Sequence, residues 1–215
     1  SIENIKGSDF ADVLTGDSNA NIINAGSGDD EITGNGGADT LSGEDGDDTF
    51  KGDEFTDSKI DGGSNTSVGD TVDYSTLGAT ENIKVTLNDI GFADVEINDT
   101  QDHEIANIEN IIAGSGADII QGNSSDNTLD GNGGEDTIWG GIGDDTINAG
   151  SGNDTIRGQA GNDVINGQGG NSDVIDFSDA GKGVEVYLDK ADKDGQLRTL
   201  IQKNDRAGVV ELLER

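Results

Sequence analysis

A nine-residue period constrains this chain more than any other feature. With Asp12 at the sixth position of a nine-residue window, residues 7–51 divide into five windows without insertion, and residues 113–166 divide into six more. The eighth positions are Leu14, Ile23, Ile32, Leu41 and Phe50, then Ile120, Leu129, Ile138, Ile147, Ile156 and Ile165. All eleven are apolar. The sixth positions are Asp12, Asn21, Asp30, Asp39 and Asp48, then Asp118, Asn127, Asp136, Asp145, Asp154 and Asp163. A fixed period of this kind marks a repeat architecture, in which each unit buries its apolar face only by stacking on its neighbours.

Within each window the first six positions are rich in Gly, Asn and Asp, which accept left-handed backbone and tight turns. The last three favour a short strand with one apolar side chain pointing inward. A turn and a strand every nine residues wind into stacked parallel strands with turns along two edges. Stacking sets sixth-position carboxylates of successive coils about 4.8 Å apart. Like charges at that spacing repel unless a cation lies between them. Calcium suits such a place, because it takes about 6–8 hard oxygen ligands in flexible arrangements.

Composition sharpens the reading. The net charge is −33 and only 30% of residues are hydrophobic, values that would otherwise place the chain near disordered sequences. The chain has 35 glycines and no proline, which fits neither collagen nor an ordinary linker. So acidic a chain repels nucleic acid and anionic membrane surfaces, leaving cations as partners. No apolar run approaches the roughly 18 residues of a membrane span, so no direct membrane insertion by this segment is expected. The chain contains no cysteine, which removes disulfides and thiolate metal sites.

The window Gly140-Gly141-Ile142-Gly143-Asp144-Asp145-Thr146-Ile147-Asn148 resembles the nonapeptide of the RTX (repeats-in-toxin) haemolysin-type calcium-binding family, G-G-x-G-x-D-x-U-x. The resemblance implies an all-β fold, a parallel β-roll (β-solenoid) in which two windows make one coil and windows n and n+2 stack. It also implies that each calcium ion sits between sixth-position side chains of turns n and n+2. The best pairs are then Asp12 with Asp30, Asp30 with Asp48, Asp118 with Asp136, Asp136 with Asp154, and Asp145 with Asp163. Weaker pairs are Asn21 with Asp39 and Asn127 with Asp145. Backbone oxygens complete the shell, and the glycines assigned to it are Gly26, Gly28, Gly34, Gly43, Gly131, Gly140, Gly150, Gly152 and Gly158. Multiple ions, roughly 6–9, are expected. Phe10, Asn19 and Ser125 replace the fourth-position glycine, and Asn21 and Asn127 replace the aspartate.

A longer period overlies the short one. Ile2-Glu3-Asn4-Ile5 recurs as Ile108-Glu109-Asn110-Ile111, an offset of 106. Asp70-Thr71-Val72-Asp73-Tyr74-Ser75 is echoed by Asp173-Val174-Ile175-Asp176-Phe177-Ser178. Alternating stretches follow each, Ile83–Leu87 and Val184–Leu188, and read as half-buried strands. The expected organisation is a first roll block with an N-terminal cap strand over 1–51 and a β insert over 52–107. A second block with its cap strand follows over 108–178, and then a C-terminal flanking segment over 179–215. The tail from Lys182 holds seven of the twelve basic residues. No cap follows the second insert, so the natural protein is expected to continue past Arg215 with an Ile-Glu-Asn-like segment and a further block.

No catalytic constellation is legible, and the chain is read as not an enzyme. His103-Glu104-Ile105-Ala106-Asn107 begins like a zinc-protease motif but lacks the second histidine. His103 is expected in a loop beside the Ile108 strand. Trp139 sits at an outward ninth position and is expected to touch a neighbouring strand. The resulting expectation is a calcium-binding module of a large secreted bacterial protein, an adhesin or toxin, that folds on calcium after type I secretion. The alternative is the non-catalytic repeat domain of a secreted hydrolase or lyase. Either places the chain outside the cell or on the bacterial surface, with calcium and other domains of the parent protein as partners.

Overall fold

A computed structural model describes residues 2–52, 58–178, 185–188 and 200–203. The expected C-terminal segment, 179–215, lies almost wholly outside the described residues, as does the continuation anticipated beyond it. Repeat strands β1 (Asn4–Lys6), β2 (Val13–Thr15), β3 (Ile22–Ser27), β4 (Glu31–Thr33), β5 (Thr40–Asp45) and β6 (Thr49–Lys51) come first. They lead into β7 (Lys59–Ser64) and β8 (Thr71–Asp73), then β9 (Ile83–Thr86), β10 (Ala93–Ile97), β11 (Thr100–Ala106) and β12 (Asn110–Ile112). The second run holds β13 (Ile119–Gln121), β14 (Thr128–Asp130), β15 (Thr137–Ile142), β16 (Thr146–Asn148), β17 (Thr155–Ala160), β18 (Val164–Asn166) and β19 (Val174–Ile175). β20 (Glu185–Leu188) and β21 (Leu200–Lys203) close the order.

Successive windows alternate between two sheets, so the roll is all-β, parallel and solenoidal. The first sheet runs β1-β3-β5-β7-β11-β10-β9-β13-β15-β17-β19, and the second β2-β4-β6-β8-β12-β14-β16-β18-β21-β20. Leu14 pairs with Ile32, Ile32 with Phe50, Ile23 with Leu41 and Ile138 with Ile156. Each partner is eighteen residues on, two windows, and that register stacks eighth-position side chains in columns between the sheets. Ile23, Ile32, Phe50, Ile120, Leu129, Ile138, Ile147, Ile156 and Ile165 are fully buried there, while Leu14, near one end, is half-covered.

The ladder does not stop at residue 51. Ile60 pairs with Leu41 and Val72 with Phe50, so 59–73 adds two more rungs to the stack. Ile111 in turn pairs with Val72 on one side and Leu129 on the other. The Ile108–Ile111 segment therefore lies inside the second sheet and covers no open end, because β8 already occupies the place below it. Its counterpart, β1, pairs with β3 at the end of the first sheet. The 106-residue offset thus relates a strand in one sheet to a strand in the other.

Among the described residues only the first sheet is interrupted between its repeat strands. Between β7 and β13 stand β11, β10 and β9, with β10 antiparallel to both neighbours. Asn98 and Asp99, both with positive φ, make the two-residue turn joining β10 to β11, a geometry that matches strand twist. Ile83, Val85, Val95 and Ile105 extend the core through this hairpin. His103 belongs to β11 and is buried, which corrects its expected loop position. Its Nε2 lies 2.7 Å from Tyr74 Oη and its Nδ1 3.0 Å from Asp102 Oδ2, and these hydrogen bonds make burial of the imidazole tolerable. Trp139 stands between Gln121 and Arg157 on the outer face and is half-buried.

Candidate metal centre

The roll register carries seven of the sixth-position side chains to the turn of the coil eighteen residues before them. Asp30 Oδ1 accepts the Asp12 N–H at 2.7 Å, and Asp48 Oδ1 accepts that of Asp30 at 2.8 Å. The same bond joins Asp39 to the Asn21 N–H, Asp136 to Asp118, Asp145 to Asn127, Asp154 to Asp136 and Asp163 to Asp145. Every residue pair expected from the repeat is therefore adjacent, in ladders that run along the two edges of the roll.

Two ladder members come from insertion-bearing turns. Asp70 accepts the Asp48 N–H at 2.7 Å and Asp173 that of Asp154 at 3.2 Å. The strict nine-residue count passed over them. The echo of Asp70-Thr71-Val72 in Asp173-Val174-Ile175 was the available signal, had insertions within the turn been allowed. Ser58 and Glu109 also take ladder places, accepting the N–H groups of Asp39 and Asp70.

One carboxylate oxygen is thus used in each bond, and the other is left over. Asp30, Asp39, Asp48, Asp118, Asp136, Asp145, Asp154 and Asp163 are at most 3% exposed, and Oδ2 of each has no hydrogen-bond partner among the described residues. Such bare buried oxygens are costly. Burial first, then neighbouring carboxylates, push Asp136 up to about 8 and Asp145 to about 7. Burial likewise raises Asp48, Asp118 and Asp163 to about 6.

Glycine shapes the space in front of these oxygens. A Cβ on Gly140 would overlap Asp145 Oδ2 and lie 2.8 Å from the Gly158 carbonyl oxygen. One on Gly131 would meet Asp136 Oδ2 at 2.6 Å and overlap the Ala149 carbonyl, and Gly43 faces Asp48 Oδ2 and the Gly62 carbonyl in the same way. Gly34 likewise faces Asp39 Oδ2. Gly43, Gly131 and Gly140 therefore each leave a cradle walled by a carboxylate and a carbonyl of the next coil. Gly26, Gly28, Gly150 and Gly152, at second and fourth positions, have φ of 120°, 116°, 101° and 149°. At Gly152 a side chain is excluded twice over, by φ and by overlap with the Gly134 carbonyl.

The turns fall into two classes. Windows starting at 25, 34, 43, 131, 140, 149 and 158 carry positive φ at both second and fourth positions, with Asn35, Glu44, Asn132 and Gln159 replacing glycine at four of the second positions. Windows starting at 7, 16, 113 and 122 do not; at 113 Asp118 keeps a bare Oδ2 all the same, whereas in the other three the second-position N–H turns inward. Ser8 N donates to Asp12 Oδ2 at 2.6 Å, Asp17 N to Asn21 Oδ1 at 2.8 Å, and Asn123 N to Asn127 Oδ1 at 2.9 Å. Asn127 Nδ2 also donates to the Glu109 carbonyl at 2.8 Å. These three turns satisfy their own side chain, and they are the ones whose fourth position is Phe10, Asn19 or Ser125.

The donor set fits calcium. Among the described residues no three His, Cys, Asp or Glu side chains converge as one metal-holding group. A cation in a cradle would draw on one or two carboxylates and several carbonyls, all hard oxygens, which matches calcium better than magnesium or a transition metal.

The family described as RTX calcium-binding nonapeptide repeat matches in four copies, at residues 2–32, 25–58, 112–147 and 139–174, together more than half of the chain. No curated protein matches it.

Proposed function

This chain belongs to the RTX calcium-binding nonapeptide repeat family, and from that premise we propose that it is the calcium-folded module of a large secreted bacterial protein, an adhesin or a toxin. The observation that carries the reading is the row of buried aspartates whose second oxygen has no partner, four of which, Asp39, Asp48, Asp136 and Asp145, face a first-position glycine. Without a cation, these crowded carboxylates oppose the fold. With calcium between them, repulsion becomes attraction and the coils lock.

The proposed ligands are Asp30, Asp39, Asp48, Asp118, Asp136, Asp145, Asp154 and Asp163, with carbonyls at the glycine-lined first, second and fourth turn positions. Asp12, Asn21 and Asn127 take weaker or no part, since their own turns already satisfy them. The organisation that goes with this reading is two repeat-rich stretches, 1–51 and 108–178, joined by 52–107 and followed by 179–215. Extracellular calcium modules bind at about 0.1–1 mM, so the chain would stay extended inside the cell, pass a type I secretion channel and fold outside. Among the described residues no helix is long and apolar enough to cross a membrane.

Calcium titration followed by circular dichroism tests the proposal. β content should rise cooperatively with calcium, and a chain equally β-rich in excess chelator refutes it. A second reading, the non-catalytic repeat domain of a secreted hydrolase or lyase, is favoured by the uninterrupted parallel ladder β8-β12-β14. One continuous roll is what an accessory domain needs.

A further inference from the structure

The ladder contains one bare carboxylate outside every matched repeat. Asp70 is fully buried, its Oδ1 accepts the Asp48 N–H at 2.7 Å, and its Oδ2 has no partner among the described residues. Its turn is irregular, because Gly62 and Gly63 open it and an insertion reaching Gly69 separates them from Asp70. A Cβ on Gly62 would overlap both Asp70 Oδ2 and the carbonyl oxygen of Asn107. This cradle reproduces those at Gly131 and Gly140, with one difference. In the repeats the facing carbonyl comes from the window eighteen residues on, whereas here it comes from the far end of the hairpin.

Asn107 is held for that task. It takes φ of 52°, and its Nδ2 donates to Asp61 Oδ1 at 2.7 Å, fastening the end of β11 to the middle of β7. Glu109 occupies the next ladder place, its Oε2 accepting the Asp70 N–H at 3.0 Å and a bond from Asn65 Nδ2. A second carboxylate therefore stands at the seam.

We infer that Gly62, Asp70 and the Asn107 carbonyl form a further calcium site at the junction between the two repeat-rich stretches, with Glu109 beside it. The inference rests on the proposal that the repeats bind calcium. A cation here ties β8 to the chain returning from the hairpin, at the point where only the first sheet is interrupted. Calcium then joins the two stretches into one roll as well as folding each.

Native mass spectrometry and amide hydrogen exchange of the full chain in saturating calcium test this with Asp70→Asn, which keeps an acceptor for the Asp48 N–H. The variant should bind one ion fewer than the unmodified chain. Protection of residues 59–64 and 100–106 should fall by about tenfold or more, while that of 128–166 is retained. An unchanged ion count with unchanged protection overturns the inference. An unmodified chain that binds no calcium overturns the wider proposal instead. Crystals of the unmodified chain grown in calcium give a reading independent of the variant's folding. An anomalous peak between Asp70 Oδ2 and the Asn107 carbonyl is expected, and peaks at the repeat turns with none at this position overturn the site.

Discussion

Replacing Asp145 and Asp12 separately by alanine distinguishes a bare station from a self-satisfied one. Asp145 is 1% exposed, its Oδ1 accepts the Asn127 N–H at 2.9 Å, and its Oδ2 faces the Gly140 cradle. In the calcium form, Asp145→Ala removes a buried carboxylate from a cation and leaves a buried N–H unpaired, a loss of about 3–5 kcal/mol. Asp12 is half-exposed and its Oδ2 bonds Ser8 N and Oγ within its own turn, at 2.6 and 2.9 Å. Losing those contacts costs about 1 kcal/mol. If about six ions bind only the folded chain, each kcal/mol is shared among them in the calcium midpoint, so Asp145→Ala raises the midpoint about 2–4-fold and Asp12→Ala by less than about 1.5-fold. Trp139 is half-buried on β15 and supplies a fluorescence readout for both titrations. Equal midpoint shifts, or a larger shift for Asp12→Ala, would refute the assignment of bare and capped turns.

Acid should partly replace calcium. Burial holds Asp136 (about 8), Asp145 (about 7) and Asp163 (about 6) above the ordinary carboxylate value of 3.8, so their contribution to metal-free stability is fully present below about 3.8 and lost as pH rises through 6–8. Circular dichroism in chelator should therefore show more β structure at pH 5 than at pH 8.5, and more calcium should be needed at pH 6 than at pH 8; the opposite slopes would count against buried, unpaired carboxylates. Gly152→Ala, at φ 149° and against the Gly134 carbonyl, should destabilise the calcium form by about 1–3 kcal/mol in thermal melts, and an unchanged melting temperature would show that this turn relaxes freely. Asn127→Asp should add no ion by mass spectrometry, because Asn123 and Ser125 lack the left-handed backbone of the open turns; a gained ion would mean that side-chain charge alone makes a station. Magnesium at equal concentration should fold the chain poorly, since its octahedral demand at shorter distances does not suit a carbonyl-rich cradle, and equal folding by both ions would remove that selectivity.

Much of the site was legible because it is periodic. Asp30, Asp48, Asp136 and Asp154 repeat at fixed spacing, and in a parallel stack equal spacing means equal place, so the ladder partners follow from counting. Asp70 and Glu109 were not legible in this way. The insertion before Asp70 and the hairpin before Glu109 break the count while leaving the ladder intact. His103 was misplaced for a related reason: the antiparallel pairing of β10 and β11 puts it opposite Val95 in the core, where Tyr74 from a distant turn supplies its hydrogen bond.

The sequence by itself determined the winding of the chain. Eleven apolar eighth positions and eleven Asp or Asn sixth positions admit one arrangement that buries the first column and aligns the second, a parallel roll with carboxylates along its turns. What only the tertiary structure decided is which of those carboxylates stay bare. In all but the Asp118 turn, that depends on whether the second-position N–H points at the side chain, as at Ser8 and Asn123, or away from it, as in turns with left-handed second and fourth residues. Four of those second positions are Asn35, Glu44, Asn132 and Gln159, residues whose identity does not require left-handed φ. Their conformation is set by the coil stacked against them, and so is the electrostatics of the edge.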